Sequence, residues 1–275
     1  MKALATAAIV RDTFREAMAR KIFWGLFGLS AALIVFFLFV LRIDIAEGAT
    51  ATISLFGKGG GTADASQLVR GVYGGVATFL YTWGMFLAVF ASAGLIPSVL
   101  EPGRIELLLS KPISRTHLLL GRYLGNVLLV SGNVVFLVLG IWIIFGFKTG
   151  LWPMAFLISI PTTIFIFSVL LSVVVVVGVQ WESTALAVMI PVALMILSPI
   201  LAQEKMMMKL LSSEWTRNLW RGLYYALPKV YDMGTMTLNA IKDRSFGGFQ
   251  PIWTSALFGV VFLAAAVAIF RRRDF

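Results

Sequence analysis

Residues 22–41 read IFWGLFGLSAALIVFFLFVL, a continuous run of twenty residues without a charge. The hydrocarbon core of a bilayer is about 30 Å thick and requires about 20 apolar residues in an α-helix, so this run predicts a membrane span. Basic residues precede it, and Ala49 and Ala51 follow it, as around a secretory signal peptide. Because the apolar core of a signal peptide has only roughly 7–15 residues, an uncleaved first span is the favoured interpretation.

The rest of the chain has the same apolar character. Of its 275 residues, 59% are hydrophobic and 13% are charged, and the mean hydropathy is +0.92. These values lie outside the range of soluble domains, and the polar remainder is too short for a second domain. The apolar runs are continuous, whereas barrel strands alternate over about 10 residues, so helices are predicted. We therefore expect a single all-α membrane domain over residues 1–275, with six spans near 22–41, 76–98, 124–146, 155–179, 184–202 and 252–270.

Residue chemistry argues against an enzyme. Cysteine is absent, which excludes a disulfide framework, a thiolate metal site and a thiol nucleophile. His117 is the only histidine, so no metal or cofactor site is expected, and an intramembrane hydrolase would lack its histidine inside the spans. The glycine-rich run GKGGG at 57–61 lacks the spacing of a phosphate-binding loop and indicates a turn. We predict a chain without catalytic residues of its own.

The distribution of Lys and Arg predicts the orientation, because basic residues accumulate on the cytosolic side of membrane proteins. The connections 42–75 and 147–154 hold only Arg42, Lys58, Arg70 and Lys148. Both termini and the connection 99–123 should therefore be cytosolic, in a multi-pass membrane protein. Basic residues at the cytosolic membrane boundary explain the net charge of +10, so no nucleic-acid partner is expected. Twelve basic residues fall on the predicted cytosolic side: Lys2, Arg11, Arg15, Arg20, Lys21, Arg104, Lys111, Arg115, Arg122, Arg271, Arg272 and Arg273.

The connection 203–251 is placed outside by a count of six spans, although it carries seven basic residues. Within it, SSEWTRNLWRGLYYALP at 212–228 has apolar residues at helical spacing, which predicts an amphipathic helix in the outer interface. The loop also contains Met206, Met207, Met208, Met233 and Met236. Thioethers suit Cu(I), but adaptable apolar filling is the favoured interpretation of these methionines.

Residues 9–20 form a second amphipathic pattern. Ile9, Thr13 and Ala17 share one helical face with other apolar residues, and such a helix would lie along the inner membrane surface. It could be an anchor whose arginines reach the lipid headgroups, or its polar face could contact a partner. The opposite face is formed by Arg11, Asp12, Arg15, Glu16 and Arg20.

The connection between the second and third spans, LEPGRIELLLSKPISRTHLLLGRY at 100–123, carries charges of both signs. Pro102 and Gly103 interrupt the chain, IELLL resumes a short helix that ends before Pro112, and Ser114 is a plausible N-cap of the third span. This pattern predicts an elbow of helix, break and helix. The elbow could be a solvated connector, or a surface that fits a groove on a partner.

These residues resemble a signature of the ABC-2 type transporter permeases, E-x-G-x-x-E-L-L-L-x-x-P-x-x-R, followed by a glycine. The likeness is greatest to the nitrous-oxide-reductase-maturation and gliding-permease branch, and it extends to the amphipathic start and the RRRDF end. The resemblance implies a coupling elbow that docks into a separate ATPase, with Arg11, Arg15, Glu16 and Arg20 on an adjoining interface helix and a second contact at 180–182. The matching elbow residues are Glu101, Gly103, Glu106, Leu107, Leu108, Leu109, Pro112, Arg115 and Gly121.

The resemblance further implies a permease subunit of a prokaryotic inner (plasma) membrane that couples ATP hydrolysis by a partner chain to export or mechanical work. Six helices enclose little space, so a second copy or a paralogue should pair with it in the lipid bilayer. The glycine pairs Gly71 with Gly75 and Gly121 with Gly125 are candidate dimer contacts. Few ionisable residues lie within the spans, which favours apolar cargo or no small cargo. A scaffold that does not transport, or a channel-like protein, is the alternative.

Overall fold

The structure is a computed structural model of the 275-residue chain. It describes the chain except for residues 1, 20, 47–49, 56–57, 60–62, 95–96, 100–102, 104–113, 211–212, 243–247 and 274–275.

Helices make up most of the described chain, in agreement with the predicted fold class. There are two 3₁₀ turns: Pro97–Val99 follows the third helix, and Met154–Ile158 precedes the fifth. The described helices are α1 Lys2–Ala19, α2 Lys21–Val40, α3 Ala65–Ala93, α4 Arg115–Thr149, α5 Ser159–Trp181, α6 Thr184–Leu201, α7 Glu204–Leu210, α8 Glu214–Ala226, α9 Val230–Ile241 and α10 Gln250–Arg272.

Five segments of the described chain are long and apolar enough to cross a membrane: α3, α4, Met154–Trp181 containing α5, α6, and α10. They coincide with the second to sixth predicted spans. The predicted first span coincides with α2. The number of candidate spans reaches six only when α1 and α2 together are counted as one bent span. Ala8–Ala19 and Phe23–Phe39 meet at 71°, so α1 runs across the direction of the bundle rather than along it.

A small antiparallel sheet that was not predicted follows α2. Its strands are β1 Leu41–Ala46, β2 Thr50–Leu55, β3 Lys58–Gly59 and β4 Ala63–Asp64. β2 pairs with the other three, and Leu41 lies opposite Leu55 in the β1–β2 ladder. LRIDIA alternates apolar and polar residues, which is the period of a strand. Part of the predicted turn 57–61 lies in β3, and the remainder is outside the described residues.

α5 is the central helix of the bundle. It packs against α3, α4, α6 and α10, and the side chains of 169–175 are all buried. A helix that is apolar on every face, such as VLLSVVVVV, is expected to be enclosed by others. A second apolar cluster gathers around Tyr73, Phe145 and Phe156, where aromatic rings meet edge to face with centroids 4.9–5.1 Å apart.

The connection 203–251 is not one loop with one surface helix, as predicted, but contains α7, α8 and α9. α8 corresponds to the predicted amphipathic helix, and it has no buried residue. α9 was not predicted, and it packs into the bundle through Val230, Met233, Met236, Thr237 and Ile241. The spacing of these five residues is helical, but polar neighbours dilute it. Met233 and Met236 are core residues while Met206 is exposed, so apolar filling is confirmed for the first two.

Contacts at the ends of the spans divide the molecule into two ends. Thr237 Oγ1 donates to Thr162 Oγ1 at 2.9 Å, which places α9 against the start of α5. Lys148, at the end of α4, donates to backbone carbonyls of Phe37 and Leu38 at the end of α2. The sheet, α9 and these helix ends therefore share one end, and α1 lies at the other. This arrangement agrees with the predicted six-span path.

Candidate coupling site

α1 is seated on the first turns of α4. Ile9, Thr13 and Ala17 are buried, and Thr13 Oγ1 donates within α1 to the carbonyl of Ile9 at 2.9 Å. A Cβ on Gly121 would lie 2.7 Å from Ile9 Cγ2, and one on Gly125 would lie 2.7 Å from Thr13 Cβ. Both distances are too short for carbon atoms, so this approach requires glycine. Gly121 and Gly125 thus serve a contact within the chain, which corrects their assignment to a dimer interface.

A buried arginine joins the same two helices. Arg122 is 2% exposed, and its two terminal nitrogens donate to carboxylates of α1, one to Asp12 Oδ2 at 2.5 Å and one to Glu16 Oε2 at 2.6 Å. The Glu16 side chain is largely covered, whereas that of Asp12 is 56% exposed. A buried charge is costly unless it is paired and hydrogen-bonded, and this guanidinium meets both conditions with two of its three nitrogens.

The ion pair extends to the turn that follows α3. Ser98 is buried in the 3₁₀ turn Pro97–Val99, and its hydroxyl donates to Glu16 Oε1 at 3.1 Å. Glu16 therefore accepts from α4 with one oxygen and from the end of α3 with the other. Asp12, Glu16, Ser98 and Arg122 are called the α1 clamp below.

The clamp is bordered by buried polar atoms without partners in the described part of the chain. They are Arg122 Nε and both amide atoms of Asn126. Asn126 lies one helical turn beyond Arg122 on α4 and is 0% exposed. Orphaned groups of this kind are uncommon in native interiors, and they mark this region as polar at a depth where the neighbouring spans are apolar.

A second set of contacts surrounds the C-terminal arginines at the same end of the molecule. Arg115 donates to the carbonyl oxygens of Arg271 and Arg273. Arg273 in turn donates to the carbonyl of Val179 and pairs with Glu182. Glu182 caps α5 in the left-handed conformation, with φ of 52° and its N–H 3.1 Å from the carbonyl of Gly178. The start of α4, the end of α10 and the α5–α6 turn are therefore linked.

The predicted elbow is described only at its edges. Gly103 is a turn residue with φ of 79°, a conformation that favours glycine. Ser114 is the N-cap of α4, as predicted, and accepts from the backbone N–H of His117 at 3.3 Å. Arg115 begins α4. The other elbow residues lie outside the described part of the chain: Glu101, Glu106, Leu107, Leu108, Leu109 and Pro112.

Predicted residues of the interface helix divide between two environments. Arg11 and Arg15 are exposed on α1, whereas Glu16 faces Arg122, and Arg20 lies outside the described residues. Sequence reasoning counted Arg122 only as a basic residue at the cytosolic rim and missed its role. The available signal was an arginine between Gly121 and Gly125 near the start of α4, with acidic residues four apart on α1.

Two cavities lie among the spans. The first, of about 270 Å³, lies between α2, α3, α4 and α5 and has an almost entirely apolar wall. Its wall includes the polar side chains of Ser30 and Asn133, which bond to each other: Asn133 Nδ2 donates to Ser30 Oγ at 3.1 Å. The second, of about 220 Å³, lies between α3, α6 and α9.

The end opposite α1 contains a buried lysine. Lys229 is 2% exposed, donates to the carbonyl of Tyr224 and lies with Nζ 3.0 Å from the centre of the Tyr224 ring. Burial lowers the pKa of Lys229 to about 8 against the opposing effect of Asp232. Burial also raises the pKa of Asp232, although Tyr224 donates to its carboxylate at 2.9 Å and Lys229 is close.

Comparison with known proteins gives a match over nearly the whole chain. A family model described as "ABC-2 family transporter protein" matches residues 7–275. The match reaches from the exposed face of α1 to the C-terminal arginines, and it covers both sets of contacts at that end. It does not distinguish one branch of the family from another. No curated protein matches the chain.

Proposed function

The chain belongs to the ABC-2 family of transporter proteins, and from this premise we propose that it is the membrane-spanning permease subunit of an ABC transporter. ATP is hydrolysed by a separate ATPase subunit, and the permease converts the movement of that subunit into export or mechanical work. Both termini lie in the cytosol of a prokaryotic cell. The elbow signature is the basis on which we propose the nitrous-oxide-reductase-maturation and gliding-permease branch.

The observation that carries the proposal is the gathering of three segments at one end of the molecule. α1, the edges of the connection 100–114 and the α5–α6 turn at 180–182 are the segments that the resemblance assigns to ATPase contact. Arg122 contacts α1 and Arg273 contacts the end of α5 and its following turn, while Glu16 of α1 accepts from Ser98 in the turn after α3. A partner that pushes on this end would act on several spans at once, as a rigid-body transition requires.

The proposal includes a second copy or a paralogue of the chain. On α3, a Cβ at Gly71 or Gly75 would have no heavy atom within 4 Å among the described residues, so this face is open to another helix. Phe79 and Trp83 continue the exposed surface along α3. Small residues that permit close helix contact are characteristic of membrane interfaces. Two such halves would enclose a pathway that one set of spans does not.

Apolar cargo, or work on an external partner, is the proposed output. The larger cavity has an almost entirely apolar wall, and its Ser30–Asn133 pair is internally satisfied. Such a wall offers no fixed charge to an ionic substrate.

Affinity purification of the tagged chain from its native host tests the proposal. We compare the wild type with Arg11→Glu/Arg15→Glu, which reverses two exposed charges outside the α1 clamp. The matched control is Arg217→Glu/Arg221→Glu on α8, at the other end of the molecule. A Mg-ATP-hydrolysing subunit with a phosphate-binding loop should accompany the wild type and the control and be lost from the α1 variant.

Absence of an ATPase from all three preparations would contradict the proposal. Retention of the ATPase by all three would show that Arg11 and Arg15 of α1 are not part of the contact surface. ATP-dependent movement of cargo in vesicles that contain the purified complex would then separate a transporter from a scaffold that only binds the ATPase.

A further inference from the structure

We propose that Arg122 is a positioning residue that locks α1, the first turns of α4 and the turn after α3 into one rigid unit, so that the interface helix and the two edges of the elbow move together. The existence of the lock depends on the contacts of this chain only. Its use in transmission rests on the proposed function. The two parts are therefore tested separately.

Arg122 holds α1 at two points on one helical face. Asp12 and Glu16 are four residues apart, so their carboxylates lie about one helical turn apart on the same side of α1. Each accepts from a different terminal nitrogen of one planar guanidinium, at 2.5 and 2.6 Å. Two anchor points on a rigid fork oppose both rotation of α1 about its axis and sliding along α4. A lysine, which carries its charge at one point, would not reproduce this restraint.

Close packing strengthens the same attachment. The backbone of α4 approaches α1 at Gly121 and Gly125, where Ile9 and Thr13 occupy the space of the missing side chains. Arg122 lies between these glycines, so apolar contact and ion pairing restrain the same turns of both helices. Arg122 is 2% exposed and the Glu16 side chain is 11% exposed, so this pair is shielded from the water that weakens surface ion pairs, whereas Asp12 reaches solvent.

Glu16 connects the lock to the other edge of the elbow. Its Oε1 accepts from Ser98, which precedes the connection 100–114, and its Oε2 accepts from Arg122, which follows that connection. Both edges of the elbow are consequently tied to α1 through one carboxylate. Movement of the elbow edges relative to α1 would break at least one of these hydrogen bonds.

Hydrogen exchange of the isolated chain in nanodiscs tests the lock without any ATPase. The variants are Arg122→Gln, Arg122→Lys and Glu16→Gln, and the matched control is Asn126→Leu, which removes a buried polar group without a partner one turn away. In Arg122→Gln, amides of 8–19 should exchange at least about tenfold faster, while those of α5 keep their protection. Arg122→Lys should be intermediate, and Asn126→Leu should exchange no faster than the wild type.

Unchanged exchange of α1 in Arg122→Gln would overturn the lock. Equal acceleration in α1 and α5 would also overturn it, because the variant would then be globally destabilised. If Arg122→Gln does not yield folded protein, Arg122→Lys and Glu16→Gln decide the question by the same comparison.

The transmission part is tested in the complex with the ATPase. A nitroxide on Ser213→Cys, next to α8, reports movement at the end opposite α1. On addition of Mg-ATP, the wild type should hydrolyse ATP and change the nitroxide spectrum, while Arg122→Lys should retain at least about half of the hydrolysis and lose most of the spectral change. A residue with only a structural role would lower both readouts in proportion, which would overturn transmission. If no ATPase binds the wild type, transmission falls with the proposed function, and the exchange result still decides the lock.

Discussion

Two buried basic residues lie at opposite ends of this protein in different environments. Arg122 is paired with two carboxylates, so its charge is compensated inside the structure. Lys229 lies against the Tyr224 ring and donates to a backbone carbonyl, which compensates its charge less completely. Arginine remains charged at every accessible pH, whereas a buried lysine loses its proton more easily. The pH response of the chain should therefore arise at the Lys229 end.

We predict that the stability of the chain rises between pH 8 and 10. The pKa of Lys229 is about 8 in the folded protein, against 10.5 for an ordinary lysine, so the unfolded state binds more protons in this window. Apparent unfolding temperatures in detergent should increase over this interval for the wild type and remain flatter for Lys229→Met. The raised pKa of Asp232 changes the stability in the opposite direction. Its contribution to the stability is lost as the pH rises through its folded pKa. Parallel curves for the two proteins would contradict the assignment to Lys229.

At the scale of elements, α1 and α8 are both amphipathic helices outside the bundle, but of these two only α1 buries side chains against another helix in the described chain. α1 buries Ile9, Thr13 and Ala17 against α4. α8 has no buried residue and exposes Trp215, Leu219 and Leu223 in a row along one face. The packing of α1 is thus sensitive to side-chain volume on α4, and the apolar face of α8 is available to lipid.

Gly121→Ala and Gly125→Ala should each loosen α1, because the added methyl groups meet Ile9 and Thr13 at 2.7 Å. Overpacking of this kind costs about 1–3 kcal/mol of unfolding free energy. Gly132→Ala is the matched control on the same helix, since a Cβ there has no heavy atom within 4 Å in the described structure. Unfolding titrations in mixed detergent micelles measure the difference. Equal stability of the three variants would show that α1 is not packed as described.

The apolar row of α8 should lie in the outer membrane interface. Nitroxides on Trp215→Cys and Leu219→Cys should be more accessible to oxygen than to a water-soluble nickel reagent in nanodiscs. Glu214→Cys, on another side of the helix, should show the opposite preference. Equal preference at all three positions would indicate that α8 stands away from the lipid.

For the whole molecule, the two ends have different sets of contacts, and the predicted topology places them on opposite sides of the membrane. α1, Ser98, Arg115 and Arg273 occupy one end, and the sheet, α8 and α9 lie towards the other. The absence of cysteine from the sequence makes single-cysteine labelling free of background.

A membrane-impermeant maleimide should label Ser213→Cys in intact cells, and it should label Arg11→Cys only after permeabilisation. Ser213 and Arg11 are both exposed, so accessibility within the fold does not bias the comparison. Labelling of both positions in intact cells, or the reverse pattern, would contradict the assignment of the α1 end to the cytosol.

The sequence by itself determined the membrane class and the path of the chain through the bundle. Runs such as 22–41 are long and apolar enough that the bilayer alone accounts for a helix, and all six predicted spans coincide with helices. Local signals were also sufficient for the cap at Ser114 and for the helix at 214–226. The family resemblance required only the spacing of residues at 101–115.

Tertiary structure decided which polar residues meet. Asp12 and Arg122 are 110 positions apart, and no periodicity links them, so their pairing depends on where α1 comes to rest on α4. The same contact assigned Gly121 and Gly125 to the interior of one chain rather than to a dimer. Likewise, α9 has a diluted apolar pattern that becomes a core helix only when α3 and α6 supply its surroundings. Burial is a property of neighbours in space, and the sequence pattern of a single segment does not contain those neighbours.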